Sequence, residues 1–305
     1  MRSSACDVAP AAPSVTVRLP GTCGEWVQGT LDGVPCLVSC AIDWYATTSV
    51  TLDAAPGAWQ LPAGAPKAVH ALRLALAARG NPAVGGALRL GNPLPRGRGY
   101  ASSTADVAGT IYALGLALGA PFTPAEVAWL AAQVEPSDSI MFPGLTLFAH
   151  RDAAFYRPLG PLPRLAVVVL DPGGCVDTLS FNRADHSHAL KKAVGAHREA
   201  FGLLAAGLAT GDAQMVAQAA TLSARTHQAI LPSALVDAAI EMLTSVGALG
   251  ICRAHSGTLV GVICHPAAAA EVAARVTAKL PGLIVRQHVC PEMGPTVLTE
   301  WPNHT

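Results

Sequence analysis

The stretch P-L-P-R-G-R-G-Y-A-S-S-T-A-D at residues 93–106 decides how the rest of this chain is read. It stands between an alternating, strand-like run at 84–90 and a long apolar tract ending near Gly119, so it reads as a tight loop delivering the chain into a buried helix. Gly97 and Gly99 permit backbone conformations closed to other residues, and Ala101, Ser102 and Ser103 keep the side chains small. Small residues let backbone N–H groups approach an anion, and the helix that follows aims its positive end at the same spot. The hydroxyls of Ser102, Ser103 and Thr104 add donors for phosphate and an oxygen ligand for Mg²⁺. The Lys of the G-x-x-x-x-G-K-[ST] loop is missing, and the spacing does not match a dinucleotide fingerprint. A plain Gly/Ser turn with an ordinary helix cap would explain the loop residues alone. The order of strand, P-x-x-x-G-x-x-S-S-T and long apolar helix favours an anion loop.

Working outward, 305 residues suggest about two domains, and 51% hydrophobic against 13% charged residues supply ample core. Twenty Lys+Arg balance twenty Asp+Glu, and aromatics are 5%, which argues against nucleic acid or an anionic membrane as partner. The longest uncharged stretch, 107–125, carries three glycines and two prolines and reads as a core helix running into a loop rather than a membrane span. The opening M-R-S-S-A-C-D-V-A-P lacks the apolar run of an export signal, and eight scattered cysteines without a C-x-x-C pair read as buried reduced thiols. A cytoplasmic location is expected.

Residues 1–14 read as a loose Ala/Pro/Ser arm, 15–163 as a first domain and 164–305 as a second, divided at the Pro-rich P-L-G-P-L-P before R-L-A-V-V-V-L. Strands are expected at 15–19, 36–42, 46–52, 84–90, 145–149, 164–170, 248–253, 258–264 and 283–288. Helices are expected at 66–79, about 124–134, 186–210, 212–226, 233–246 and 266–279. The lack of regular βα alternation makes this an α+β chain. H-S-H at 186–188 and His197 read as solvated helix-face histidines, since no Cys or carboxylate completes a metal set.

Beyond the loop, Glu135 and Asp138 in V-E-P-S-D-S flank a helix end broken by Pro136, where two carboxylates three apart can reach one site. Beside an anion loop, such a pair suits phosphoryl transfer, which needs an oxygen ligand for Mg²⁺ and a carboxylate near the attacking hydroxyl.

The pattern P-x-x-x-G-[LM]-x-S-S-[AT], present as Pro95, Gly99, Tyr100, Ser102, Ser103 and Thr104, resembles the phosphate loop of the GHMP kinases, with Tyr100 standing where Leu or Met is usual. R-L-P-G-T-C-G-E-W-V-Q-G (18–29) resembles the family's first motif, and A-H-S-G-T-L-V-G (254–261) its C-terminal glycine motif with fewer glycines. Together with V-S-C-A-I-D-W-Y-A-T and V-E-P-S-D-S-I-M-F-P-G-L-T-L-F, these blocks are most similar to the L-threonine kinases of cobalamin synthesis and propanediol utilisation. The resemblance implies a two-lobed GHMP kinase fold, with an N-terminal lobe like ribosomal protein S5 domain 2 and a ferredoxin-like C-terminal lobe. It implies ATP and Mg²⁺ as cofactors and L-threonine as substrate, giving L-threonine O-3-phosphate. Residues 95–104 (Pro95, Arg96, Gly97, Arg98, Gly99, Tyr100, Ala101, Ser102, Ser103, Thr104) would hold ATP, Ser103 and Glu135 the metal, and Asp138 would orient or deprotonate the hydroxyl.

An amino-acid substrate offers an ammonium and a carboxylate, and Glu25 and Asp43 are the candidates for the ammonium. For the carboxylate, Arg98, Arg253 and His255 stay open, with Ser256 and Gly257 beside them in the glycine motif; Arg96 and Arg98 equally suit ATP phosphates. Rival readings are a kinase of the same family for L-serine, homoserine or ethanolamine, and a nucleotide sensor without turnover.

Overall fold

The computed structural model describes residues 14–53, 57–176, 181, 183–291 and 294–302. The expected N-terminal arm and Cys6 lie outside them, except for Ser14, which opens the first strand. That strand, β1 (Ser14–Leu31), pairs antiparallel along its length with β2 (Val34–Leu52). The two runs expected at 36–42 and 46–52 are one strand. Its register slips between Pro20 and Gly21, where Asp43 and Trp44 are extra residues, and the bulge accommodates the D-W-Y that reads as a break. The register slips twice more around Glu25.

From β2 the sheet continues through β4 (Gly86–Gly91) to the short β3 (Trp59–Gln60), which pairs parallel with β4 across helix α1 (Pro66–Ala78). Helix α2 (Ser102–Ala117) packs on β1, β2 and α1, and is buried on nearly all sides, which is why the tract is apolar all round rather than striped. Helix α3 (Pro124–Val134) starts with a capping box between Thr123 and Glu126, then ends at the E-P-S-D segment. A helical turn at Ser139–Met141 and strands β5 (Thr146–Phe148) and β6 (Tyr156–Pro158) follow.

The second half begins with β7 (Ala166–Asp171), buried at every position. Full burial of each such Val or Leu contributes roughly 1.5–3 kcal/mol, which explains the unbroken apolar run. Helices α4 (Ser187–Lys192), α5 (Val194–Thr210), α6 (Ala213–His227) and α7 (Ala234–Val246) precede β8 (Gly250–Arg253) and β9 (Val260–Cys264). Helix α8 (Ala269–Lys279) and β10 (Ile284–Val289) complete the unit, and β11 (Thr296–Leu298) returns to pair with β1. The order β10-β7-β9-β8, all antiparallel, is the 4-1-3-2 arrangement of a split βαβ sandwich. It matches the expected ferredoxin-like lobe. The helix expected over 186–210 is broken at Ala193.

His197 departs from its sequence reading. It is 3% exposed, with its ring packed on Gly29 and Nδ1 beside Thr30, because α5 lies on β1 rather than in solvent. Of the cysteines, Cys23, Cys36, Cys40, Cys252 and Cys264 are buried thiols as expected, but Cys175 is exposed. Among the described residues, no helix is long and apolar enough to cross a membrane.

One sheet joins the two halves where Glu25 of β1 pairs with Arg253 of β8. At that junction the loop at 96–101 is held from two sides. Thr22 N–H donates to the Tyr100 carbonyl (3.1 Å), while Thr258 and Leu259 N–H donate to the Arg98 carbonyl (2.9 and 3.1 Å). Gly257 fits there because it lacks a side chain: a Cβ would stand 2.2 Å from the Arg98 oxygen and 2.6 Å from the Gly99 nitrogen. Gly257→Ala is therefore expected to push the loop out of place. It should lower the melting temperature and weaken ATP binding together, which a thermal melt and a nucleotide titration on one preparation will check.

Candidate active site

A cavity of about 380 Å³ lies over the junction. Its walls are the 95–104 loop (without Arg98), the start of α1 at Gly64–Ala68, the Glu135–Asp138 segment, Glu25, His255 and Ser256. The loop builds its side of the cavity with Gly97 (φ 72°), Gly99 (φ 106°) and Ala101 (φ 58°) in left-handed conformations. A Cβ at Gly99 would stand 2.3 Å from that of Ala254. No side chain caps α2, in contrast to the capping box of α3, so the helix opens towards the cavity without a protein group on its first N–H donors. Ser102 Oγ is buried there and unpaired.

Opposite the loop, Pro136 ends α3 and turns both carboxylates inward. Glu135 accepts a very short hydrogen bond from Ser103 Oγ and an ion pair from Lys67 Nζ at 2.5 Å. Thr104 Oγ1 donates to Asp138 Oδ2 (2.9 Å) and accepts from the Asp138 N–H (3.2 Å), which locks that side chain. Glu25, 2% exposed, lies beside Asp138 and Ser39. Burial, followed by the charge of Asp138, pushes the Glu25 carboxyl well above its ordinary range. Burial also raises Asp138, against the hydrogen bonds from Thr104 and Glu25 that lower it. Both shifts favour a proton held within this buried carboxyl pair.

The structure brings together Pro95, Arg96, Gly97, Gly99, Tyr100, Ala101, Ser102, Ser103, Thr104, Glu135, Asp138, Glu25, His255 and Ser256. Gly257 lies just beneath, against the loop backbone. Arg96 reaches Gly64 O (3.1 Å) and Asp106 (3.6 Å) on the exposed rim. Arg98 points away and pairs with the fully buried Asp171 at 2.9 Å, and the Tyr100 hydroxyl shares that carboxylate at 3.2 Å. Arg253 is 2% exposed and donates to Gln228, so it too lies outside the cavity lining. Asp43 sits on the β2 bulge, outside this cavity, where it accepts from the Val289 N–H and lies 2.8 Å from His288 Nδ1. Sequence reasoning missed Lys67, because P-K after Gly64 signals only a helix start.

An uncapped helix behind a small-residue loop, facing carboxylates fixed by hydroxyls, holds the groups that phosphoryl transfer requires. The pattern of the GHMP kinases N terminal domain matches residues 66–142 and that of the GHMP kinases C terminal matches 204–282. This chain belongs to the GHMP kinases. It is similar to the L-threonine kinase of Salmonella typhimurium strain LT2, 33% identical over 263 residues covering 81% of each chain. It is also similar to the L-threonine kinase of Citrobacter freundii, 28% identical over 81% of this chain and 85% of that one. Its fold matches a homoserine kinase from Cytophaga hutchinsonii with a TM-score of 0.75, at 18% identity over 98% of this chain and 99% of that one.

The buried Glu25 makes stability depend on pH with a definite sign. Well below the ordinary value of 4.5, the carboxyl is protonated in folded and unfolded chains alike. As pH rises, the unfolded chain ionises first and gains, so Glu25 lowers stability increasingly until the folded group ionises as well. Glu25→Gln cannot ionise and lacks this loss. Its melting temperature, relative to wild type, is expected to climb as pH rises above the ordinary value of 4.5.

Proposed function

We propose that this protein transfers the γ-phosphoryl group of ATP to the side-chain hydroxyl of L-threonine, giving L-threonine O-3-phosphate. The observation that carries the reading is the convergence of Ser103–Glu135 and Thr104–Asp138 on one cavity beneath the uncapped start of α2. The likeness to L-threonine kinases supplies the substrate, and the aminopropanol linker of cobalamin is the use for the product that this likeness suggests.

ATP would lie with its phosphates against the N–H groups at 102–104, since the loop's carbonyls at 97–100 already accept from β1, Val176 and 258–259. Ser103 Oγ and the Glu135 carboxylate fit Mg²⁺, a hard cation usually held by one or two carboxylates plus phosphate oxygens. When bound, it would neutralise charge on the phosphates. Lys67 brings a further positive charge to the same edge.

Asp138, held by Thr104 in one orientation, would accept the hydroxyl proton as the oxygen attacks the γ-phosphorus; the bond to the bridging oxygen breaks and ADP leaves. Burial raises the basicity of Asp138 and keeps water from competing. Glu25 is the ammonium partner within the cavity. The homoserine kinase fold keeps other small hydroxy amino acids as the second reading.

Mg²⁺-dependent ADP release with phosphorus NMR of the product tests the reaction. A phosphomonoester signal is expected with L-threonine, exceeding that from L-serine, L-homoserine, ethanolamine or D-threonine. A stronger signal from another acceptor would remove threonine and leave the kinase. Asp138→Asn is expected to lower kcat by roughly 10²–10⁴-fold with ATP affinity retained; equal losses in ATP binding would refute its role at the hydroxyl.

A further inference from the structure

Beside the carboxylate pair, several polar atoms are buried without a partner: Glu25 Oε2, Gln28 Nε2, both ring nitrogens of His150, and His255 Nε2. Leaving such atoms unpaired is unfavourable. Of these residues Glu25 and His255 line the active-site cavity, and His150 lines a second, smaller cavity with His255, so the first two are the ones a ligand in the active site could complete. Glu25 pairs with Arg253, two residues before His255, which brings both residues to the same sheet junction. Both line the cavity that contains Ser103 and Asp138.

The chemistry of His255 follows from what surrounds it. Its Nδ1 lies 2.6 Å from Gln28 Oε1, and the Gln28 backbone is fixed by Ser223, which accepts from its N–H at 2.9 Å. The ring is wedged edge-on against His150 (4.8 Å between centroids) and Phe181 (5.4 Å), and His227 Nε2 lies 2.8 Å from the His255 carbonyl. Burial, with the charges of Arg151, His186 and Arg253, pushes the imidazole down to about 3, so it is neutral. A neutral ring whose Nδ1–H donates to Gln28 presents Nε2 as an acceptor. Two residues that line the cavity, Glu25 and His255, therefore each keep an unpaired buried acceptor, Oε2 and Nε2, suited to a cation with several N–H donors.

We propose that His255, its tautomer set by Gln28, is a second acceptor for the substrate's ammonium group beside Glu25, and that this pair selects alcohols carrying a protonated amine. The assignment rests on the amino-acid kinase reading above and removes His255 from the carboxylate candidates. An alcohol without the amine leaves both acceptors unpaired. Sites built to hydrogen-bond a substrate group reject analogues lacking it by roughly 10⁴-fold.

The test compares kcat/KM for L-threonine, 1-amino-2-propanol (amine without carboxylate) and 3-hydroxybutyrate (carboxylate without amine). Wild type is expected to use both amines and to disfavour 3-hydroxybutyrate by roughly 10⁴-fold. His255→Phe, which keeps an aromatic ring in the wedge, should raise KM for both amines together by about 10-fold or more, with KM for ATP unchanged. His255→Gln, whose amide oxygen reaches towards the place of Nε2, should recover most of that loss. The proposal is overturned if His255→Phe impairs L-threonine but spares 1-amino-2-propanol, which would assign the ring to the carboxylate, or if it changes neither. Ready use of 3-hydroxybutyrate by wild type overturns it too, and that comparison stands even if His255→Phe does not fold. If wild type phosphorylates neither amine while binding ATP, the amino-acid kinase reading falls first and this assignment with it.

Discussion

The carbonyl groups of the 97–100 loop are the fixed point of this molecule. Tyr100 and Gly99 accept from β1, Gly97 from Val176, and Arg98 from Thr258 and Leu259. The loop is thus built into the junction of two sheet halves that are far apart in sequence. The entropy of fixing it is offset by the same contacts that join those halves, not by a ligand. Arg98 completes the clamp from outside the cavity by neutralising Asp171, a carboxylate whose burial without a partner would be strongly unfavourable.

Once the loop is fixed, α2 has one place to begin, and everything that reacts is set relative to it. Ser103 and Thr104, adjacent on the first turn, each hold one of the two carboxylates delivered by the end of α3. Because Pro136 separates Glu135 from Asp138, the two groups meet different environments: one beside an ammonium at the cavity edge, the other buried against Glu25. Residues three apart thereby acquire distinct chemistry, one suited to cation binding and one to a proton. The ferredoxin-like half contributes little to this chemistry directly, but its β8 and the turn after it support Glu25 and His255 from behind.

Local pattern carried much of this into the sequence. The loop, α2 and α3 are legible because their signals are contiguous: glycines, small residues, a capping Thr123, a terminating Pro136. The convergence of Glu135 and Asp138 on the loop is legible only through the resemblance of several blocks in order. What stays hidden depends on direction or on distance along the chain. Asp43 lies in a motif-like block, yet a bulge turns it towards His288. Arg98 stands between two glycines whose positive φ values decide where its side chain goes. Gln28 and His255 are 227 residues apart, and His150 carries no local signature; only the folded sheet makes them neighbours.

The uncapped start of α2 has a consequence for how the protein persists as well as how it works. An N-cap residue typically contributes about 1 kcal/mol, and a left-handed non-glycine such as Ala101 adds a similar strain. Both deficits fall in the most buried helix among the described residues. On the proposed function, a nucleotide on those N–H groups would supply the missing cap, and at 100 times its dissociation constant would add about 2.7 kcal/mol to the folded state. On the proposed function, the ligand-free chain would be the less stable form, and its persistence would follow the supply of nucleotide.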